Sequence, residues 1–313
     1  MAREKIIIDT DPGQDDAVAI LLALASPEEI EVLGITAVAG NAPLHLTEVN
    51  TRKICELAGR PDVKVYAGCD KPLLLELHTA PEVHGETGLN GPVLPEPTMP
   101  LQPRHAVDYL VETIMAEPAG TITLCPLGPL TNVAKAIMKE PRIAGRLKRI
   151  VLMGGAQSEG GNSSPVAEFN IFVDPHAADV VLRSGAEIVM FPLDATHQVL
   201  TSRVRMEKVA AIGTPLAKAT YEMLDFYRKY DEAKYGTDGG PLHDPCVIAW
   251  LIRPELFSGK KVNVEVETSS ALTIGQTVVD HFHKTGRAPN ATYITKADAE
   301  GFFDLLIERL RRL

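Results

Sequence analysis

The stretch IIIDTDPGQDDAVAILLALA, residues 6–25, joins an apolar β-branched run to an apolar helical pattern. Between the two lies a short polar segment in which four aspartates fall within residues 9–16. Pro12 and Gly13 are residues typical of a turn. The stretch therefore predicts a buried strand that passes directly into a helix, with a crowd of carboxylates at the junction.

The same alternation of strand and helix recurs along the chain. VLGITAV precedes a helical stretch from about Leu44 to Ala58, TITLCPLG precedes PLTNVAKAIMKE, and RIVLM and EIVMFPL continue the pattern. This alternation predicts an α/β fold with a single open, mostly parallel, Rossmann-like sheet and helices on both faces. Ligands of such sheets bind outside the carboxyl ends of the strands, where DTDPG lies.

Three segments depart from that alternation. The proline-rich GPVLPEPTMPLQPRH predicts an irregular surface connection, and KVNVEVETSSALTIGQTVVD predicts a β-hairpin around its Ser-Ser turn. The closing ADAEGFFDLLIERLRRL predicts an amphipathic helix. Because the composition does not shift along the chain, we expect residues 1–313 to form one domain.

Composition restricts the partners of the chain. Its 31 basic and 41 acidic residues give a net charge of −10, which argues against nucleic acid or an anionic membrane as the main partner. The longest apolar run, AVAILLALA, is about half the length of a membrane span, and the N-terminus lacks the apolar stretch of a signal peptide. Four well-separated cysteines predict free thiols in a reducing compartment, so we expect a cytoplasmic protein.

The four aspartates are Asp9, Asp11, Asp15 and Asp16. Helix capping explains one or two of them, because Asp is favoured at helix N-termini. It does not explain carboxylates at the end of a buried strand, so the cluster predicts a metal or catalytic site. Oxygen ligands alone favour calcium or magnesium over zinc. A phosphohydrolase of the D-x-D type remains open from this stretch.

Other polar motifs follow. In GGPLHDPCVIAW, Asp244-Pro245 matches a helix N-cap followed by proline, which is the favoured interpretation of the dipeptide alone, and His243 is available for proton transfer. VAGN ends at Asn41, and His84 lies in the glycine-rich VHGETGLNG.

A further motif is GNSSPVAEFNIFVDP. Asn162, Glu168 and Asn170 form a polar set, and on an extended segment Glu168 and Asn170 would face the same way and could grip adjacent hydroxyls. A surface loop is the favoured interpretation of this stretch alone. Asp174-Pro175 predicts the cap of the next helix.

In this order the motifs resemble the calcium-dependent nucleoside hydrolase family. The resemblance rests on DTDPGQDDA, AVAGN, VHGETGLNG, CPLGPLTN, VLMGGA, AEFNIFVDP, HDPC and LTIGQTVVD, which span nearly the whole chain. It implies hydrolysis of the N-glycosidic bond of ribonucleosides to ribose and free base. It also implies a single open α/β domain and a homo-oligomer, either a dimer or a tetramer.

The resemblance also implies roles for individual residues. Calcium would be held by Asp11, Asp16, Asp244 and the main-chain carbonyl of Leu127, and Asp9 would support this site. The positions that match the ribose ligands of the family are Asp15, Asn41, Asn162, Glu168 and Asn170. Asp11 would accept the proton of the attacking water, and His243 or His84 would lie within reach of the leaving base.

The base preference follows from the same resemblance. The purine-specific branch stacks the base on tryptophan, whereas the single tryptophan here, Trp250, is expected in the core. The region YGTDGGPLHDPCVIAW is similar to pyrimidine-preferring members, so we expect uridine and cytidine, with a mixed inosine–uridine enzyme as the alternative. Tyr230 and Tyr235 are candidates for a mobile lid, on the premise that they flank a glycine-bearing loop.

Two alternatives belong to other functional classes. A D-x-D phosphohydrolase would need a phosphate clamp, and no comparable arrangement of lysine and Ser/Thr is present. A non-catalytic nucleoside-binding module would not need the proton-transfer groups Asp11 and His243.

Overall fold

The computed structural model describes residues 3–313. Eleven strands are present among these residues: β1 (Glu4–Thr10), β2 (Ile30–Ala37), β3 (Val65–Ala67), β4 (Leu101–Gln102), β5 (Ile122–Pro126), β6 (Arg149–Met153), β7 (Ile188–Phe191), β8 (Phe257–Val262), β9 (Val264–Val266), β10 (Thr277–Val279) and β11 (Ala291–Ala297). Nine of them form one sheet in the order β4-β3-β2-β1-β5-β6-β7-β11-β8. Within this nine-stranded sheet, only β8 runs antiparallel to its neighbour. The predicted α/β class with a mostly parallel sheet is therefore confirmed.

Helices cover both faces of the sheet. They are α1 (Gln14–Leu24), α2 (Leu44–Leu57), α3 (Pro81–His84), α4 (Ala106–Ala116), α5 (Thr131–Lys139), α6 (Arg142–Arg146), α7 (Phe169–Val173), α8 (Pro175–Leu182), α9 (Leu193–Thr196), α10 (Arg203–Ala210), α11 (Pro215–Tyr235), α12 (Pro245–Ile252) and α13 (Ala299–Leu310), with a 3-10 turn at Pro254–Leu256. Successive side chains of β1 point to opposite faces. Ile6 and Ile8 therefore pack in the apolar cluster with α1, α12 and α13, whereas Ile7 packs with α4 and α5. Each fully buried isoleucine contributes about 1.5–3 kcal/mol of hydrophobic stabilisation.

The strand order places a binding crevice beside β1. From β1 the chain runs outward through β2, β3 and β4 to one edge, then returns to β5 on the other side of β1. The connections that leave β1 and β5 therefore diverge at their carboxyl ends, which opens a crevice at this switch point. The aspartate segment follows β1, and Leu127 follows β5, so both lie at this crevice.

The helix α1 is buried along all eleven residues. A helix that is apolar around its whole circumference needs cover on every side. The helix α1 is surrounded by the sheet and by α2, α11, α12 and α13. Its first turn is therefore fixed at the bottom of the crevice. Asp15 and Asp16 lie in that first turn.

The remaining segments differ in detail from the predictions. The proline-rich connection contains the short edge strand β4, and the hairpin pairs β9 with β10 across ten residues rather than a tight Ser-Ser turn. The closing helix is present as α13, and all four cysteines are buried and free. Within residues 3–313, no helix combines the length and hydrophobicity needed to cross a bilayer.

Candidate active site

A cavity of about 340 Å³ opens at the carboxyl ends of β1 and β5. It is lined by Asp15, Asn41, His78, Ala80, Glu82, Val83, His84, Leu127, Met153, Asn162, Ser163, Glu168, Phe169, Asn170, Tyr227, Tyr230, Asp231, Lys234, Tyr235, His243 and Asp244. Every residue predicted for the site lies in this lining except Asp9, Asp11 and Asp16, which are buried outside it. Segments separated by more than two hundred positions thus meet in one cavity.

Asp11 is enclosed between two glycines. Its Oδ2 accepts a hydrogen bond from the backbone N–H of Asn41 at 2.7 Å, and its buried Oδ1 has no partner among residues 3–313. A Cβ on Gly40 would overlap one carboxylate oxygen, and a Cβ on Gly128 would overlap the other. Burial, together with the negative charges of Asp16 and Asp15, raises the pKa of Asp11 well above its ordinary value.

The side chain of Asp16 accepts three hydrogen bonds. The Thr10 hydroxyl donates to its Oδ1, and its Oδ2 accepts from the backbone N–H of Gly13 at 3.0 Å and from Nδ2 of Asn41 at 3.2 Å. The N-cap residue of α1 is Gly13, not an aspartate. Capping therefore accounts for one oxygen of Asp16 and for none of Asp15 or Asp11.

Three carboxylates converge at the cavity floor. Oxygens of Asp15, Asp16 and Asp244 all lie within 4.8 Å of one another. Burial and the negative charge of Asp16 raise the pKa of Asp15 to about 8. Burial and the negative charges of Asp15, Asp16 and Asp11 raise the pKa of Asp244 well above its ordinary value. Among residues 3–313, neither lysine nor arginine forms an ion pair with these groups. The cluster could therefore hold a metal ion.

The two Asp-Pro pairs behave differently. Asp174 precedes α8 with φ −138° and ψ 75°, and its Oδ1 accepts from the N–H of Ala177 at 3.0 Å, as predicted for a cap. Asp244 precedes α12 with the helical angles φ −65° and ψ −37°, and its side chain makes no capping bond. An N-cap residue needs non-helical angles for its side chain to reach back to the first turn. Asp244 thus occupies the N-cap position before a proline, as the dipeptide predicted, but its side chain does not cap the helix and lies in the cavity lining instead.

Asp9 lies behind the cluster. Its Oδ1 accepts from the Thr36 hydroxyl on β2 and from Nδ2 of Asn132 on α5 at 2.7 Å, while its buried Oδ2 has no partner in residues 3–313. Asn132 also accepts from the backbone N–H of Cys69 at 2.8 Å. Burial raises the pKa of Asp9 to about 7. Asp9 thus ties β1 to β2 and α5 below the site.

Glu168 and Asn170 do not share an extended segment, because Asn170 lies in the helix α7, so that expectation was wrong. Glu168 is the N-cap of α7, and its carboxylate accepts backbone N–H bonds from Asn170 at 2.9 Å, Gly155 at 3.0 Å and Ile171 at 3.2 Å. Three fixed donors orient the carboxylate at the cavity wall. Burial nevertheless raises the pKa of Glu168 to about 7.

Two asparagine amides are oriented by their partners. Nδ2 of Asn170 donates to the carbonyl oxygens of Leu127 at 2.6 Å and Met153 at 3.3 Å, which leaves Oδ1 as its free acceptor. Oδ1 of Asn162 accepts from the N–H of Phe169 at 2.9 Å, which leaves its NH2 group as a free donor. The two amides therefore offer complementary groups to a polar ligand.

Two histidines line the cavity in buried positions. His84 closes the one-turn helix α3 rather than lying in the glycine-rich loop, and burial lowers its pKa to about 3. His243 forms a 2.7 Å hydrogen bond between Nδ1 and the Thr196 hydroxyl. Burial, with the nearby His197 as a smaller cause, lowers the pKa of His243 well below its ordinary value.

One face of α11 supplies the outer wall. Tyr230 and Tyr235 both lie in the last two turns of α11, and the glycine-bearing loop begins after Tyr235, so the premise that the tyrosines flank it was wrong. Sequence reasoning missed three further lining residues on the same face: Tyr227, Asp231 and Lys234. Their spacing at i, i+3, i+4, i+7 and i+8 is a helical signal that could have identified them.

Lys234 links this wall to the opposite loop. Its Nζ donates to the hydroxyl of Tyr230 at 3.1 Å and to the carbonyl of Asn162 at 3.3 Å. The cation also lies 5.0 Å and 5.1 Å from the ring centroids of Tyr230 and Tyr235. Trp250 lies outside the cavity lining and packs against Phe191, with the Arg149 guanidinium 5.1 Å from its ring centroid.

Comparisons with known proteins agree with this geometry. Residues 6–304 match the model of the family described as inosine-uridine preferring nucleoside hydrolase. An uncharacterised protein of Schizosaccharomyces pombe is 52% identical over 309 residues, 99% of each chain. The pyrimidine-specific ribonucleoside hydrolase RihA of Salmonella gallinarum is 48% identical over 307 residues, 98% of each chain. Among solved structures, a purine-preferring ribonucleoside hydrolase from Gardnerella vaginalis has a TM-score of 0.92 at 32% identity, covering 98% of both chains. The chain therefore belongs to the inosine-uridine preferring nucleoside hydrolase family and is an N-glycosyl hydrolase.

Proposed function

We propose that this enzyme hydrolyses pyrimidine ribonucleosides, uridine and cytidine, to ribose and free base with the help of calcium. The observation that carries the proposal is the group of buried carboxylates at the floor of a cavity whose walls carry oriented amides and imidazoles. Membership of an N-glycosyl hydrolase family excludes the phosphohydrolase and the non-catalytic binding module considered above.

The residues of the floor fit a hard divalent cation. They offer oxygen atoms alone, they are buried, and one oxygen of Asp11 has no partner within residues 3–313. Calcium prefers six to eight such oxygens, mixing carboxylates, carbonyls and water. We propose that Asp11, Asp16, Asp244 and the carbonyl of Leu127 hold it. A bound Ca²⁺ would neutralise the repulsion among the carboxylates and lower the pKa of a neighbouring water.

Asp11 is the proposed general base. Its backbone-held Oδ2 fixes the carboxylate, and its free Oδ1 is the atom that would accept a proton from the attacking water. Glycine is needed at positions 40 and 128, because a Cβ at either position would overlap an oxygen of this carboxylate. Asp9 would support this arrangement from behind through β1.

The ribose would lie between the floor and α7. Glu168 presents a fixed acceptor, Asn170 presents Oδ1, and Asn162 presents an NH2 group. Asp15 and Asn41 complete the proposed set from the other side of the cavity. These dipoles and carboxylates would stabilise the positive charge that develops on the sugar as the base departs.

His243 is proposed to assist departure of the base. It lines the cavity next to Asp244, and its partner Thr196 can either donate to or accept from Nδ1, so either tautomer is available to the ring. The tautomer with hydrogen on Nε2 could donate a hydrogen bond to a leaving base.

The pyrimidine preference is supported by two observations. The RihA relative is named pyrimidine-specific and is 48% identical over nearly the whole chain. In addition, tryptophan is absent from the described cavity lining, and Trp250 packs elsewhere. The mixed inosine–uridine alternative is favoured by the family description and by the purine-preferring structural relative.

A ribose-release assay with uridine, cytidine and inosine tests the proposal. We expect kcat/KM for uridine and cytidine to exceed that for inosine at least about tenfold, which corresponds to about 1.4 kcal/mol of transition-state binding. Similar values for uridine and inosine would establish the mixed enzyme instead. If none of the three ribonucleosides released ribose, the proposed function would be wrong.

A further inference from the structure

The orientation of the Gln14 side-chain amide is fixed by two backbone carbonyls. Gln14 is fully buried at the start of α1. Its Nε2 donates to the carbonyl oxygen of Asn90 at 2.9 Å and to that of His84 at 3.1 Å. If the amide were turned by 180°, its oxygen would face these two carbonyl oxygens, and no hydrogen bond could form because carbonyl oxygens only accept. Oε1 of Gln14 is therefore the atom that faces Nδ1 of His84, at 2.7 Å.

This contact decides which ring nitrogen of His84 carries the hydrogen. Oε1 of Gln14 can only accept, so Nδ1 of His84 must donate. In a neutral imidazole the other nitrogen, Nε2, is then an acceptor without hydrogen. Burial keeps the ring neutral, since it lowers the pKa of His84 to about 3. Within residues 3–313, Nε2 has no hydrogen-bond partner, although the residue lines the cavity.

The ring itself has little freedom to turn. It stacks on Tyr227 with ring centroids 5.7 Å apart and an interplanar angle of 26°. The ring also lies so close to Gly13 that a Cβ on this residue would overlap Nδ1. Stacking, close backbone contact and the Gln14 bond together fix both the position and the tautomer of the ring.

We propose that Gln14 is a positioning residue that holds His84 in the Nδ1–H tautomer, so that Nε2 accepts a hydrogen bond from the bound nucleoside. The inference rests on the proposed function, because the donor belongs to a ribonucleoside. That donor is either a sugar hydroxyl or a ring N–H of the base, which offer the same chemistry to Nε2. In this tautomer His84 has no proton to give from Nε2, so it does not protonate the leaving base.

Asn50 provides a matched control for Gln14. Its side-chain amide is also buried and also donates to two carbonyls, those of Thr87 at 2.9 Å and Pro12 at 3.3 Å. It anchors the same loop without a hydrogen bond to His84. A purely structural role for Gln14 predicts that Gln14→Met and Asn50→Leu have the same consequences.

The first test reads the tautomer directly. In the full-length protein labelled with 15N-histidine, the ring shifts distinguish protonated from unprotonated nitrogens, and the His84 signals are those absent from His84→Gln. We expect a protonated Nδ1 and an unprotonated Nε2 in the parent protein and in Asn50→Leu, and hydrogen on Nε2 in a substantial fraction of Gln14→Met. A protonated Nε2 in the parent protein, or no difference between the two variants, would overturn the inference. Because this measurement needs no turnover, it stands apart from the ribose-release assay.

The second test identifies the donor. The parent enzyme is compared on uridine and on two analogues. 5′-Deoxyuridine lacks the 5′-hydroxyl donor, and N3-methyluridine lacks the N3–H donor. We expect one analogue to lose about tenfold or more in kcat/KM, since a polar acceptor is left unpaired. The ratio of kcat/KM for uridine to kcat/KM for that analogue should fall towards one in Gln14→Met and stay high in Asn50→Leu. Ratios unchanged by Gln14→Met would refute the role of Gln14 in substrate binding.

Discussion

Calcium bound at the proposed site should raise the stability of this protein, and by more at higher pH. The reason lies in the buried carboxylates of the cavity floor, whose charges repel one another when no cation is present. Asp15 illustrates the effect, because burial raises its pKa to about 8 from an ordinary value of 3.8. An acid whose pKa is higher in the folded state binds a proton there more tightly than in the unfolded chain.

The sign and size follow from proton linkage. Below about pH 4 the carboxyl is protonated in both states, and it has no effect on stability. Between about pH 4 and pH 8 the folded state holds a proton that the unfolded state has lost, so stability falls as pH rises. At about 1.4 kcal/mol per pH unit, Asp15 alone costs the calcium-free protein ~4 kcal/mol between pH 4 and pH 7. A bound cation would offset this cost.

The expected shift in melting temperature can be estimated. An unfolding entropy of ~2 cal/mol/K per residue gives ~0.65 kcal/mol/K for a chain of 313 residues. The ~4 kcal/mol from Asp15 then corresponds to a Tm lower by ~6 °C at pH 7 than at pH 4. Calcium at 100 times its Kd adds ~2.7 kcal/mol, or ~4 °C. We therefore expect a calcium-induced rise in Tm of several degrees near pH 7.5 and a much smaller rise near pH 5.

Differential scanning fluorimetry with a chelator or with added calcium, at both pH values, measures this shift. Asp244→Asn should abolish the calcium-induced rise. Asp174→Asn is the matched control, because Asp174 is also a buried aspartate before a proline but caps α8 away from the cavity lining, and the rise should persist. A calcium response of equal size at pH 5 and pH 7.5, or one retained by Asp244→Asn, would refute the reasoning.

Three further predictions concern catalysis. Asp11→Asn should reduce kcat on every nucleoside by about 10²–10⁴, because it removes the proposed base, and steady-state assays in which any substrate kept its full rate would contradict this. 2′-Deoxyuridine should be cleaved far more slowly than uridine, because the missing hydroxyl leaves buried polar groups unpaired; equal specificity constants would exclude that ribose site. His243→Ala should lose activity on uridine but largely keep it on p-nitrophenyl riboside, whose leaving group departs as a stable anion. Equal losses on both substrates, with calcium affinity unchanged, would exclude His243 as the group that assists the leaving base.

Much of the fold followed from local sequence pattern. The β-branched runs and helical periodicities predicted most strands and helices of the α/β sheet, because burial on both faces demands continuous apolar strands. The aspartate segment was placed correctly at the carboxyl end of β1 for the same reason. The environments of Glu168, Tyr230 and Tyr235 were predicted wrongly, since a short polar stretch does not distinguish a helix end from a loop.

Only the tertiary structure decided which side chains cooperate. Gln14 and His84 are seventy positions apart, and Asp9 and Asn132 are separated by 123, so no local pattern predicts either contact. The two Asp-Pro pairs show the limit most clearly. Asp174 and Asp244 share the dipeptide Asp-Pro, yet they have different backbone angles and only the side chain of Asp174 caps its helix. Sequence by itself determined most strands and helices and the identity of the polar groups; the tertiary structure decided that the side chain of Asp244 lies in the cavity lining instead of capping its helix.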